Sequence, residues 1–333
     1  MQRRSFLKNA MVLGSSAFIG SHAQAWPDSH LRISAPGKKI GIIGLDTSHS
    51  EAFAKVLNTA TAEAPYNGYR VTAAYPYGSK KIAGSYNRIP GYIEKVKGYG
   101  VAICADIDEL LKQVDCVLLE TNDGHLHPEQ AAIVFQSRKR VFIDKPLGAN
   151  LKEVEQVYEA AAKYGSSFFS SSSLRYTSAI KKLKEDAAFG KVVGAFTFSP
   201  CTLEPTHEDL YWYGIHGVEM LFAVMGSGCK MVQASHATDV DVATGIWEDG
   251  RTGTFRGTRS GIYAFGGEVF GEKRNMVLSD YEGYEGLLNE IVRYFETGNV
   301  PVPVQETKEI YAFMSAYQKS KQHRGKPVEL HRF

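Results

Sequence analysis

Lys39-Ile40-Gly41-Ile42-Ile43-Gly44-Leu45-Asp46-Thr47-Ser48-His49 is the stretch that decides the fold. An apolar strand runs into Gly44, and the spacing of Ala52, Phe53, Val56 and Leu57 predicts an amphipathic helix after the turn. Strand, glycine turn and helix form the frame on which dinucleotides bind, with the pyrophosphate at the helix N-terminus. The fingerprint G-x-G-x-x-G needs glycine at its first, third and sixth places. Gly44 holds the first, but Asp46 and His49 hold the third and sixth. A carboxylate at the third place is expected to repel the pyrophosphate that a glycine would let approach. The frame is therefore intact and its turn is rebuilt.

Toward the N-terminus, Arg3-Arg4-Ser5-Phe6-Leu7-Lys8 precedes a moderately apolar stretch, and Ala23-Gln24-Ala25 supplies a small-residue cleavage site. The paired arginines read as a twin-arginine export signal over residues 1–25, which predicts a periplasmic location for an already folded protein. The apolar stretch is too short and too rich in Gly, Ser and Ala for a membrane span. Removing it takes Arg3, Arg4 and Lys8 from the 38 basic residues and nothing from the 36 acidic ones, leaving about −1. A near-neutral chain without a basic stripe gives no electrostatic case for nucleic acid or a membrane surface as partner. Cys104, Cys116, Cys201 and Cys229 are scattered, without C-x-x-C or zinc spacing; export would allow Cys201 to pair with Cys229.

Toward the C-terminus, short apolar strands alternate with helical patterns up to Ser167-Phe168-Phe169. That alternation predicts an α/β, Rossmann-like, doubly wound parallel sheet. The second half reads differently. Strand-like runs at Val192–Phe198, Met231–Ser235, Val242–Trp247, Thr252–Arg256 and Asn275–Leu278 predict an α+β region with a large, mostly antiparallel sheet. Gly266-Gly267 reads as the turn of a hairpin between Ile262–Phe265 and Glu268–Phe270. One helix is expected at His216–Val224 and a last one at Lys308–His323, packing back on the first domain. The expected division is a signal over 1–25, a linker over 26–38, a nucleotide-binding domain over 39–172 and a substrate and oligomerisation domain over 173–333.

Four motifs then stand in one order: Gly41-Ile42-Ile43-Gly44, Glu120-Thr121-Asn122-Asp123-Gly124-His125-Leu126-His127, Phe142-Ile143-Asp144-Lys145-Pro146-Leu147-Gly148, and Gly214-Ile215-His216-Gly217-Val218-Glu219. With the final helix leading into Gly325-Lys326-Pro327, they make the chain resemble the glucose–fructose oxidoreductase and inositol dehydrogenase (Gfo/Idh/MocA) family over nearly its whole mature length. The resemblance implies NAD or NADP as cofactor, a sugar-type small-molecule substrate and a homo-oligomer. It implies catalytic roles for Lys145 of the Lys-Pro motif and His216 of the Gly-x-His motif, with Tyr213 and His207 shaping a sugar pocket. It places the cofactor against Gly44, Asp46, Thr47, Ser48, His49, Thr121, Asn122, His125, Asp144, Lys145 and Pro146. The chain departs from the family at Asp144, where Glu is usual, at Trp212, where an Asp usually precedes the His, and at Gly124, where Asn is usual. No acid or arginine at Tyr75-Pro76-Tyr77-Gly78 stands ready to separate NAD from NADP.

Each of these residues also has a plainer reading. Lys145 would otherwise be a turn lysine, and His216 a satisfied core histidine on an apolar helix. Asp46, Thr47, Ser48 and His49 are either helix caps with a buried hydrogen-bond network or a rebuilt site for a hydroxylated ligand or a metal. His125 and His127 are expected at one cleft, one of them capping the helix that starts at Pro128. His207, Glu208 or Asp209, with His216 and Glu219, offer mixed nitrogen and oxygen ligands to a divalent ion, without a tight ligand motif. Three functions follow. The first is oxidation or reduction of a sugar or cyclitol hydroxyl. The second is a non-redox lyase, hydratase or isomerase acting on a keto-glycoside, metal-assisted or not. The third is carbohydrate binding without turnover.

Overall fold

The computed structural model describes residues 37–61, 64–278 and 281–333; the export signal and all but the end of the expected linker lie outside them. Alternation builds the first layer in chain order: β1 (Lys39–Ile43), α1 (Ser48–Thr59), β2 (Arg70–Tyr75), α2 (Ala83–Tyr86), α3 (Ile89–Gly98), β3 (Ala102–Ile103) and α4 (Ile107–Gln113). Then come β4 (Cys116–Leu119), α5 (His127–Gln136), β5 (Arg140–Ile143), α6 (Leu151–Tyr164) and β6 (Phe168–Phe169). The six strands are parallel in the order β3-β2-β1-β4-β5-β6. All four residues of β4 are buried, as are all but the first of β1, as expected of strands covered on both faces. Strand order reverses between β1 and β4, and open α/β sheets open their ligand crevice at such a switch point.

The second layer follows α7 (Ser178–Glu185): β7 (Val192–Pro200), α8 (Ile215–Met225), β8 (Cys229–Ala237), β9 (Val240–Trp247), β10 (Thr252–Thr258), β11 (Gly266–Gly271) and β12 (Asn275–Leu278). Helices α9 (Glu285–Thr297) and α10 (Val304–Gln322) and the short β13 (Val328–Glu329) complete it. The sheet order is β12-β11-β7-β10-β9-β8-β13, antiparallel at every pair except β7 with β10. Helix α8 approaches this sheet closely at Gly217, where a Cβ would stand 2.2 Å from the Phe255 ring. Helix α10 touches the first layer where Leu147 N donates to Tyr311 Oη at 2.7 Å.

The hairpin expected over Gly266-Gly267 is not formed. Both glycines lie inside β11, which turns back into β12 instead, and Ile262–Phe265 is not a strand. The physical reason is close approach: a Cβ on Gly267 would meet Phe196 O at 2.3 Å. These glycines admit a neighbouring strand rather than reverse the chain. The four cysteines are buried and free, so Cys201 and Cys229 are not paired.

Candidate active site

The C-terminal ends of β1, β4 and β5 lie side by side, which brings Asp46, Glu120 and the Asp144-Lys145-Pro146 segment to one crevice. Gly44 carries φ +96°, and a Cβ there would stand 2.5 Å from Thr121 N, so the turn requires glycine. Asp46 is buried, and its Oδ1 accepts from Asn122 N at 3.0 Å. Burial pushes its carboxyl up to about 6 in spite of those backbone hydrogen bonds. Gly78 makes its room, since a Cβ there would lie 2.7 Å from the Asp46 Cβ. The Asp46 carboxylate thus faces Asn122 and Gly78 rather than serving as an acceptor for the first N–H groups of α1.

Thr47 caps α1 with its Oγ1, Ser50 Oγ donates to Gly44 O at 2.9 Å, and Ser48 is exposed. His49 crosses the crevice, with Nδ1 2.7 Å from Asp144 Oδ2 and its ring packed against Phe53 and Tyr284. Burial alone would raise the Asp144 carboxyl, but His49 beside it holds it below its usual range. Thr121 Oγ1 donates to Gln130, and Asn122 Nδ2 donates to Ser85 Oγ at 2.7 Å, tying α2 over the strand ends. Lys145 precedes Pro146 through a cis peptide. Burial pushes its ammonium below the usual lysine range, against the pull of Asp144 and Glu120.

The second layer supplies the opposite wall. A π-helical turn over Leu210–Gly214 runs into α8, a distortion that proteins often keep at functional sites. It presents Tyr213, whose ring centroid lies 5.8 Å from Lys145 Nζ and 4.9 Å from the His216 ring. His216 is buried, and Ser172 Oγ lies 2.8 Å from its Nδ1, which leaves Nε2 as its uncommitted nitrogen. Burial, with the Lys145 charge nearby, holds the ring well below its usual range, so it is neutral near pH 7. Tyr263 and Phe265 extend the wall; the Tyr263 hydroxyl meets that of Tyr213, and Phe265 packs edge-on to His216. The sequence reading assigned these two to a strand and missed them; the aromatic spacing Tyr263-x-Phe265 was the only available signal.

Other expected site residues are held elsewhere. Glu219 accepts from Arg175 Nε at 2.7 Å, and Arg175 also pairs Glu306. Asp209 pairs Lys321 at 2.7 Å. The metal set expected from His207, Glu208 or Asp209, His216 and Glu219 does not gather: Asp209 and Glu219 have basic partners, and among the described residues neither they nor Glu208 fall in a ligand-sized group. His207 accepts from Gly124 N at 3.2 Å and contacts Thr206 Oγ1, with Trp212 packed on its ring. His125 is fastened to Glu153 and to Thr206 O, while His127 is fully buried with Nε2 on Thr121 O. These two histidines do not share an open cleft, and their ring hydrogen bonds hold loops together.

The profile described as an oxidoreductase family with an NAD-binding Rossmann fold matches residues 9–171. Over residues 9–171 the chain belongs to the Gfo/Idh/MocA oxidoreductase family. Its parallel sheet is that family's NAD-binding Rossmann fold. Among curated relatives, myo-inositol 2-dehydrogenase of Thermotoga maritima is 26% identical over 217 residues, taking in 54% of this chain and 65% of that protein. A probable dehydrogenase from the same organism superposes with a TM-score of 0.70 at 22% identity, covering 87% of this chain and 98% of that one. The scyllo-inositol dehydrogenase of Lactobacillus casei, solved with NAD(H) and scyllo-inositol, gives 0.71 at 15% identity, with 87% and 98% covered. These structural likenesses concern the fold. Among the described residues of this family member, no helix is long and apolar enough to cross a membrane.

The residues at the head of α1 fit a dinucleotide. The Gly44 turn is glycine-only, the N-terminus of α1 opens beside it, and the Asp46 carboxylate is directed to Asn122. Gly44, the first turn of α1 and the Lys145-Pro146 segment are the residues that would hold it. The missing acid after β2 removes a grip on the adenosine ribose.

Proposed function

We propose that this chain is an exported NAD(P)-dependent oxidoreductase that acts on a hydroxyl of a sugar or cyclitol. Residues 39–172 bind the nucleotide and 173–333 the substrate. The observation that carries the reading is the approach of both Lys145 and His216 to Tyr213, at the C-terminal edge of a Rossmann sheet. The bound dinucleotide supplies the hydride acceptor. Lys145 orients the reacting oxygen as a hydrogen-bond donor. His216 takes its proton at Nε2, with Nδ1–H donating to Ser172 Oγ to fix the required tautomer. Tyr213, Tyr263 and Phe265 offer an aromatic wall to the apolar face of a ring-shaped polyol, and they exclude water from the reacting carbon.

The twin-arginine segment supports export, since a cofactor loaded before transport leaves with the folded protein. Exposed Phe270 and Val277 on the β11–β12 edge favour a homo-oligomer through the second sheet. A second reading, non-redox chemistry on a keto-sugar, is favoured by Trp212 in the place of the usual relay acid, because it leaves His216 without a carboxylate partner.

The test is oxidation of myo-inositol, scyllo-inositol and a panel of hexoses by the mature protein with NAD or NADP, followed by dinucleotide absorbance. Turnover of one substrate that is lost in His216→Ala, with dinucleotide affinity retained, is the expected result. Dinucleotide binding without turnover of any polyol, together with loss of a keto-glycoside from the mixture, would give the second reading instead.

A further inference from the structure

We propose that His49, Glu120 and Asp144 form a binding site for one divalent first-row metal ion, of the Zn2+ or Mn2+ type. The three residues come from the start of α1 and the ends of β4 and β5, and one ligand atom from each lies within 4.8 Å of the others. The site lies in the crevice that the dinucleotide reading also uses, and it is distinct from the metal set expected from the sequence.

The unmet acceptors carry the argument. Glu120 is 0% exposed, and neither of its carboxylate oxygens has a hydrogen-bond partner. Asp144 Oδ1 and Asp46 Oδ2 are likewise buried without partners. Buried side-chain acceptors are nearly always satisfied, and buried carboxylates are paired or bind cations. Four buried oxygens without protein donors, gathered at one crevice, are an acceptor set that suits a cation. Charge leads to the same conclusion. Asp144 and Glu120 face the Lys145 ammonium, Asp46 adds a third carboxylate near Glu120, and Arg88 acts on Asp46 and Lys145.

Donor chemistry narrows the class. One imidazole and two carboxylates are a mixed nitrogen and oxygen set that suits zinc or manganese better than calcium or magnesium. Three protein ligands leave open positions, the pattern of catalytic rather than structural ions. The His49 ring is oriented by Phe53 and Tyr284, as a ligand ring needs to be. A second group, Asp123, His125 and His207, is equally tight. There, however, both ring nitrogens of each histidine are already engaged within the chain, so that group is a hydrogen-bonded cluster.

The experiment strips the mature protein with a chelator, then titrates Zn2+ and Mn2+ separately by calorimetry and measures retained metal after gel filtration. One ion per chain is expected, with affinity lowered at least tenfold in Glu120→Gln and in Asp144→Asn and kept in Asp123→Asn. Metal-free Glu120→Gln is expected to melt higher than the metal-free wild type, because an unmatched buried charge has gone. If the variants fail to fold, the visible spectrum of the Co2+-loaded wild type decides, with absorption of a low-coordinate nitrogen and oxygen site expected. No ion on the wild type, or unchanged affinity in folded Glu120→Gln, would overturn the site. NAD titration of the same stripped sample keeps this outcome separate from that of the proposed function.

Discussion

Ser172 Oγ lies 2.8 Å from His216 Nδ1, fastening a helix on the second sheet to the chain that leaves the first. The contact spans the seam between the two layers. It orients a ring that packs against Tyr213.

Ser172→Ala removes that fastening without changing the volume much. We expect kcat to fall about tenfold with KM little altered, in keeping with a positioning role for a general base. Steady-state kinetics separate the two parameters, and Ser172→Thr is expected to restore most of kcat. A loss confined to KM would place Ser172 in substrate binding instead.

Arg175 is 5% exposed and sits between Glu219 and Glu306. Deleting its charge leaves two buried carboxylates facing each other unpaired. Arg175→Met is expected to destabilise the fold by about 3–5 kcal/mol, the usual cost of breaking a buried pair from one side. Urea denaturation measures it, and a change below about 1 kcal/mol would mean the pair is not desolvated.

His207 supplies a pH dependence whose sign is fixed. Burial pushes its ring down to about 4; neighbouring His125 and His127 press the same way, and Asp123 and Glu153 oppose. In the unfolded chain it titrates near 6.5. Between these values the unfolded state holds the extra proton, so stability falls as pH drops from about 6.5 toward about 4. Wild type should lose roughly 2 kcal/mol more than His207→Gln between about pH 7 and pH 5. Denaturation curves at the two pH values check this, and parallel losses would contradict it.

Burial pushes the thiols of Cys116, Cys201 and Cys229 up to about 12, and raises that of Cys104 as well. A thiol held that far from thiolate is inert. None of the four should react with iodoacetamide in the native state at neutral pH, and all four should react in urea. Mass spectrometry counts the adducts.

Much of this was legible in the sequence because it rests on local period. The Gly41–His49 frame, the strand and helix alternation and the antiparallel second half all follow from spacing within a few residues. Lys145 and His216 stand out as candidates through short motifs in a fixed order. What stayed hidden depends on contacts between distant residues. His49 and Asp144 are 95 positions apart, so nothing local announced their hydrogen bond. Asp46 read as a barrier to phosphate because its turn toward Asn122 N is a tertiary choice, made possible by Gly78. Glu120 appears in the sequence only as the first residue of a motif, and only packing shows its oxygens to be unmatched. Gly266 and Gly267 misled for a physical reason: glycine serves both reversal and close approach, and sequence spacing does not separate the two.

The central claim is that this rebuilt crevice still holds a nicotinamide dinucleotide and moves a hydride with it. The most direct measurement is mass spectrometry of small molecules released from natively purified mature protein, with calorimetric titration of NAD and NADP on the emptied sample. We predict one dinucleotide per chain, released or rebound, with binding weakened when Gly44 is replaced by Ala. Recovery of none, together with no heat on adding either dinucleotide, would contradict the claim and remove hydride transfer from the chemistry of this site.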